Sequence, residues 1–150
     1  MLPDGMNSKD KASEGRSIET LRVKTSRRTE WVNITSEVSR LVSASGISSG
    51  VCQIYVPHTT AGVTINEGYD PDVASDMEAA FDRMVPRNAG DAHAEGNSDS
   101  HIKATLVGSS QSVWIESGRL RLGRWQAVFF CEFDGPRSRE IHVKIVPDPA

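Results

Sequence analysis

The last third of the chain constrains the fold most, because it consists almost entirely of short strand-like runs separated by turn residues. Gly118 and the run Asp134-Gly135-Pro136 mark turns, and Gly123 indicates a bulge or a close backbone approach. Strands joined by such short turns pair in antiparallel fashion. The strands of this predicted meander cover residues 102–108, 112–116, 119–122, 125–133 and 139–146.

The first two thirds of the chain supply further strands and two helices. Strand patterns cover residues 18–25, 31–34, 51–56 and 63–65. Thr35 or Ser36 can cap a helix that ends at Gly46, and Asp70 followed by Pro71 begins a second helix that ends before Pro86. The second helix carries an apolar stripe that is expected in the core, namely Val73, Met77, Ala80, Phe81 and Met84. This order of elements predicts a single α+β domain over residues 17–147, with a curved, mainly antiparallel sheet packed with two main helices.

Charge, hydropathy and cysteine content indicate which partners and which cellular compartment to expect. A net charge of -3 over 150 residues argues against a general nucleic-acid binder. No apolar run approaches the roughly 18 residues that cross a bilayer, and the start of the chain lacks the apolar core of a secretory signal. Residues 1–16 are polar and are expected to form a disordered tail. Cys52 and Cys131 lie in apolar runs, where buried, reduced thiols in a cytoplasmic protein are expected.

The stretch from His93 to His101 is the densest group of chemically active side chains. It holds two imidazoles, two carboxylates and an amide, and no apolar side chain larger than alanine. We interpret it as one wall of a polar site, the alternative being a solvated loop that docks another protein. The spacing of these two histidines is not a metal signature by itself. Together with His58, however, they would form a three-histidine set of the kind that binds zinc.

Three other clusters are more polar than their positions require. His58-Thr59-Thr60 follows a buried strand, where functional groups are often displayed, although a simple turn explains the spacing alone more readily. Asn66-Glu67 precedes a helix, so Glu67 is either a general base or metal ligand, or a carboxylate that stabilises the helix dipole. Arg137 and Arg139 would point the same way on an extended segment. They form either a two-pronged cation for phosphate or a solvent-facing strand after a turn.

Several of these motifs together resemble the YjbQ-like family. The motifs are His58-Thr-Thr-Ala-Gly-Val-Thr-Ile-Asn-Glu67, His93-x-x-Gly-Asn97, His101-Ile-Lys, Gly118-x-Leu-x-Leu-Gly-x-Trp-Gln126 and Glu132-x-Asp134-Gly-Pro-Arg-x-Arg139. They occur in one order and extend over about residues 17–146. The resemblance implies a half-barrel fold assembled as a homotrimer.

The resemblance also implies a polar pocket with assigned roles. It implies that His58, His93 and His101 bind a divalent metal, zinc or magnesium. His58, Asn66 and Glu67 would be catalytic, and Arg137 and Arg139 would bind phosphate. The remaining pocket residues would be Thr59, Thr60, Asn97 and Asp134.

The activity implied by the resemblance is that of a secondary thiamine-phosphate synthase. Such a transferase joins a pyrimidine diphosphate to a thiazole phosphate and releases pyrophosphate. We therefore expect a metal-assisted enzyme that acts on a small phosphorylated metabolite, with neither nucleic acid nor membrane as partner. The alternative is a non-catalytic, trimeric protein that binds a metal or a phosphometabolite.

Overall fold

Antiparallel strands form most of the molecule in the computed structural model, which describes residues 17–87, 90, 92 and 96–150. The eight strands of this described part are β1 (Ile18–Lys24), β2 (Glu30–Asn33), β3 (Ser49–Tyr55), β4 (Ala61–Glu67), β5 (Ser110–Glu116), β6 (Arg119–Leu120), β7 (Gln126–Glu132) and β8 (Ser138–Pro147). They form a five-stranded sheet in the order β1-β8-β3-β5-β6 and a three-stranded sheet in the order β2-β7-β4. All pairings are antiparallel, and the strands curl into a half-barrel. The meander predicted for the last third is wrong, because β7 pairs with β2 and β4, β8 pairs with β1 and β3, and of its strands only β5 and β6 are consecutive neighbours. The predicted single α+β domain with a curved antiparallel sheet is confirmed.

Three helices pack against these strands in the described part of the chain. They are α1 (Thr35–Ser45), α2 (Pro71–Met84) and α3 (Ser98–Val107). Helix α1 ends at Gly46, whose φ of 69° is the left-handed conformation that glycine adopts at low cost. Asp70 caps α2 by accepting a hydrogen bond from the Asp72 N–H at 2.9 Å. The two predicted helices are therefore present, but the predicted cap of α1 is wrong: Thr35 and Ser36 are its first two residues, and its N-cap is Ile34, which makes no side-chain cap bond.

Helix α3 takes the place of the strand expected over residues 102–108, so that expectation is wrong. Two large apolar residues of this segment, Ile102 and Leu106, are exposed. The buried residues of α3 are Asp99, Ser100, Lys103 and Ala104. The helix thus turns a mostly polar face inward, which is the reverse of the pattern that sequence reasoning assumes.

Two apolar clusters form the core. The first lies between the two sheets and under α1, and it includes Ile54, Phe130 and Ile141. The second lies on the outer face of the three-stranded sheet, where Met77 and Phe81 of α2 pack. The apolar stripe of α2 is half-buried rather than fully buried, and its last member, Met84, is exposed.

Two cysteines end in the core as free, buried thiols, as predicted: Cys52 and Cys131. No helix in the described part of the chain is both long and apolar enough to cross a bilayer. The predicted tail, residues 1–16, and the first histidine of the polar stretch, His93, lie outside the described residues.

Candidate functional site

Four polar side chains meet where β1 and β7 end and β8 begins. The buried carboxylate of Glu132 accepts hydrogen bonds from Arg139 Nε at 3.0 Å to each of its oxygens. Thr25 Oγ1 donates to the same carboxylate at 2.7 Å, and Arg139 Nη2 donates to Thr60 Oγ1 at 2.8 Å. These four residues, Thr25, Thr60, Glu132 and Arg139, are the Glu132 cluster. The guanidinium of Arg139 and the carboxylate of Glu132 are both buried, so water does not solvate their charges. Each charge is compensated by the other instead.

A second group of charges lies beside the Glu132 cluster. Arg28 donates from Nη1 and Nη2 to the two oxygens of Asp99 at 3.0 and 3.2 Å. Its Nε lies 4.0 Å from Asp134 Oδ1. Asn97 Nδ2 donates to Asp134 Oδ2 at 3.0 Å. The residues of this group, Arg28, Asn97, Asp99, Asp134 and Arg137, are the Asp134 cluster.

The carboxylates of the Asp134 cluster are held in the charged form. Burial raises the pKa of Asp99, but the hydrogen bonds and charge of Arg28 outweigh it, so this pKa lies below its ordinary value. Burial likewise raises the pKa of Asp134, and the hydrogen bonds from Asn97 and Arg137 more than reverse it. The hydrogen bond to Asp99 in turn raises the pKa of Arg28. Both acids are therefore ionised at neutral pH and already paired.

His58 lies at the edge of this ensemble, directly after β3 as expected. Its Nε2 lies 2.9 Å from the backbone nitrogen of Glu140 and 3.1 Å from the carbonyl oxygen of the same residue. Burial lowers the pKa of His58, and the charge of Arg139 lowers it further. The neutral form of the ring is therefore favoured at pH 7.

The two arginines of the predicted phosphate-binding pair occupy different environments. Arg139 is buried and committed to Glu132, whereas the side chain of Arg137 is 53% exposed. Arg137 donates from Nε to the Asp134 carbonyl at 2.8 Å and from Nη2 to the Asp134 carboxylate at 3.0 Å. The two-pronged cation expected from alternation does not form, because the second arginine enters the core instead of facing solvent.

Asn66 and Glu67 do not join these clusters within the chain. In β4, Ala61 pairs with Glu132, whereas Glu67 pairs with Gln126 at the opposite end of β7. Six residues of strand separate the two ends, about 20 Å. Glu67 instead borders a cleft of about 380 Å³ beside the first turns of α2, together with Arg27. The structure therefore separates these two expected catalytic residues from His58.

The other predicted pocket residues are mostly brought together. Thr60, Asn97 and Asp134 belong to the two clusters, and Thr59 is exposed beside them. His101 lies in the first turn of α3, two residues after Asp99 of the Asp134 cluster. The metal-binding expectation finds no site in the described part: over residues 17–87, 90, 92 and 96–150, no three histidine, cysteine or acidic side chains converge as metal ligands. Instead, the acids at this end of the sheets pair with arginines, and His58 Nε2 contacts the backbone of Glu140. The three-histidine set itself stays a prediction, because His93 lies outside the described residues.

Four cluster residues received no functional role from the sequence, namely Thr25, Arg28, Asp99 and Glu132. Arg28 looked like part of a turn, and Asp99 like one of several loop carboxylates. Glu132 carried a usable signal, because it follows Phe129-Phe130-Cys131 in a strand that is otherwise apolar. An acid in such a run is buried only if it is paired, so a cationic partner could have been sought.

The comparisons with known proteins agree on one family. The family model described as "UPF0047 protein YjbQ-like" matches residues 19–148. The chain belongs to this YjbQ-like family. It is 50% identical over 130 residues to the UPF0047 protein YugU of Bacillus subtilis, a match that covers 86% of this chain and 98% of the relative.

Solved structures of the same family share the fold. A YjbQ/UPF0047 protein of Clostridium acetobutylicum has a TM-score of 0.84 and 48% identity, covering 85% of this chain and 99% of that one. A YbjQ-like protein of unknown function from Sulfolobus solfataricus has a TM-score of 0.84 and 32% identity, covering 88% of this chain and 97% of that one. The predicted membership is thus confirmed.

These family descriptions correct the implied activity. The relatives and structures above are named as uncharacterised or UPF0047 proteins, without an activity. The expectation of a thiamine-phosphate synthase, and with it that of a transferase, is therefore wrong as a description of this family. What the chain itself offers is a neutral histidine and two clusters of paired charges.

Proposed function

We propose that this protein binds a small phosphorylated metabolite at the Asp134 cluster. The observation that carries the proposal is the placement of two partly exposed guanidiniums on either side of Asp134. The side chains of Arg28 and Arg137 are 27% and 53% exposed, and they approach this carboxylate from different loops. Guanidinium is the side chain best suited to phosphate, because its planar N–H groups match two phosphate oxygens.

The start of α3 adds to the attraction for an anion. Arg28 contacts Asp99 in the first turn of this ten-residue helix, and Asn97 precedes it without a side-chain capping bond. A helix N-terminus carries a partial positive charge and uncapped N–H groups. An anion held by the two guanidiniums would therefore also benefit from the helix.

Each guanidinium retains donors for a ligand. Arg137 uses Nε and Nη2 to hold Asp134, and no described residue bonds its Nη1. An arginine has five N–H donors in all, so the bonds to Asp134 orient the group without exhausting it. The pairing positions Arg137 at the rim in advance of binding, which reduces the entropy lost when a ligand binds.

Binding without catalysis is the form of the proposal that the charges favour. General acid or base catalysis needs a group whose pKa lies near the working pH. Here the pKa values of Asp99 and Asp134 are lowered, and both carboxylates are engaged by arginines. For these two acids, a role in binding is thus better supported than a role in acid or base catalysis.

The test is a calorimetric titration with inorganic phosphate and pyrophosphate, comparing the wild type with Arg137→Ala. Loss of a charged hydrogen-bond donor should weaken binding about tenfold or more, equivalent to about 1.4 kcal/mol. Arg121→Ala is the matched control, because this side chain is 64% exposed and pairs with Glu116 at 3.0 Å, on other strands. If both variants bind phosphate as the wild type does, the site is misplaced.

We also propose that the protein is cytoplasmic and forms a homotrimer. The cytoplasmic location is supported by the two free, buried cysteines, which fit a reducing compartment. The homotrimer rests on the resemblance to the YjbQ-like family alone. Neither is needed for the phosphate-binding proposal, since Arg28, Asp134 and Arg137 belong to one chain.

A further inference from the structure

Asn97 stands at the start of α3 but does not cap the helix. An asparagine at this position usually accepts a hydrogen bond from an N–H of the first turn, and here its side chain makes no such bond. Instead, Nδ2 donates to Asp134 Oδ2 at 3.0 Å. This bond orients the amide, because only the nitrogen can donate to a carboxylate.

The other end of the amide, Asn97 Oδ1, is a buried acceptor to which no described residue donates. Asn97 is only 7% exposed, and Oδ1 has no hydrogen-bond partner in the part of the chain that the structure describes. A buried polar atom in this condition costs about 1–3 kcal/mol, so native structures contain few and each needs an explanation. Its immediate neighbour cannot supply a proton, because Asp134 is ionised at neutral pH.

The cations of the cluster are also committed elsewhere. Arg28 donates to Asp99 and to Ser100 Oγ, and Arg137 donates to Asp134. These bonds direct donors of both guanidiniums at groups other than Asn97 Oδ1. A donor brought in with a ligand would satisfy this acceptor.

We infer that Asn97 selects phosphorylated ligands that carry a hydroxyl or amine next to the phosphate, and accepts a hydrogen bond from that group. The inference rests on the proposed function, since Arg28 and Arg137 hold the phosphate. Asp134 joins the two parts of the site: it contacts both guanidiniums and is bonded to Asn97. Asn97 is thus a specificity residue, and the ligand class is a phosphomonoester of a hydroxylated or aminated small molecule.

The test compares two phosphomonoesters that differ by one hydroxyl, ethyl phosphate and 2-hydroxyethyl phosphate, by titration calorimetry. One additional hydrogen bond should make the hydroxylated ester bind about 2- to 10-fold more tightly to the wild type. In Asn97→Leu the two esters should bind equally. Asn33→Leu, which removes an exposed amide on β2, should keep the wild-type preference.

The possible results separate this inference from the proposal beneath it. Equal affinities in the wild type overturn the role of Asn97 while phosphate binding stands. A preference that persists in a folded Asn97→Leu protein, as judged by circular dichroism, also overturns it. If the wild type binds neither ester nor inorganic phosphate, the proposed function itself fails.

Discussion

Replacing Arg139 with methionine should lower the free energy of unfolding by about 3–5 kcal/mol, the usual cost of removing one partner of a buried ion pair. The structure shows why the cost should be of this size. Arg139 contacts both oxygens of Glu132, and without it the remaining donors among the described residues are the Thr25 hydroxyl at 2.7 Å and the more distant Asp134 N–H at 3.5 Å. A buried carboxylate with two neutral donors, one of them long, is far from compensated for its lost hydration. Methionine fills most of the aliphatic volume, so a cavity contributes little.

The assay is urea unfolding followed by circular dichroism, with thermal melting as a second measurement. For a chain of this length, a loss of 3–5 kcal/mol corresponds to a fall in Tm of about 6–20 °C. The double variant Glu132→Met/Arg139→Met should recover most of the loss, because an apolar pair of similar volume is often as stable as a buried ion pair. Thr25 Oγ1 would keep an acceptor in the carbonyl of Arg137 at 3.1 Å.

Arg121→Met is the control for this prediction. It removes an arginine whose partner Glu116 is also exposed, so the change should stay within about 1 kcal/mol. If Arg139→Met lowers the free energy of unfolding no more than this control does, the Glu132 carboxylate does not depend on Arg139 for its stability in the core. A double variant no more stable than the single one would show that the loss arises from packing instead.

Two further predictions concern ionisable groups. Burial lowers the pKa of His58 below its ordinary 6.5, so between the folded and the unfolded pKa the unfolded chain binds more protons, and the free energy of unfolding should fall as the pH falls through that window. Asp99 and Asp134, whose pKa values are also lowered, should cause a second decrease below about pH 4. Urea midpoints measured at successive pH values should show the first decline flattened in His58→Gln and the second retained, and an unchanged first decline would exclude His58 as its source. Burial raises the pKa of Cys52 to about 11, so at pH 8 the folded protein should resist iodoacetamide until urea is added, and modification at the rate of a free thiol would contradict this.

The elements that the sequence predicted correctly are those with a local physical cause. The Asp70-Pro71 helix start, the Gly46 helix end and the alternating strands each depend on a few adjacent residues. Helix α3 was missed because it has no apolar stripe facing the core: its apolar residues Ile102 and Leu106 are exposed. Its inward face is polar because Asp99 and Lys103 find partners in Arg28 and Asp82, which lie far away in the sequence.

The same division applies to the candidate site. Motif residues such as His58, Thr60, Asn97 and Asp134 were identified from the sequence, and the structure places them at one end of the sheets. Their roles depended on pairings that no spacing reveals. Arg137 and Arg139 look equivalent in the sequence, yet one lies at the rim and the other is buried against Glu132.

The sequence by itself determined the family, the fold class and most of the strands, because side-chain periodicity and turn residues act over short distances along the chain. Only the tertiary structure decided which charges pair, which polar face of α3 is buried and which site residues are separated by the length of β4. Those outcomes depend on strand register and on the burial of one side chain by another. Neither is encoded in the order of neighbouring residues alone.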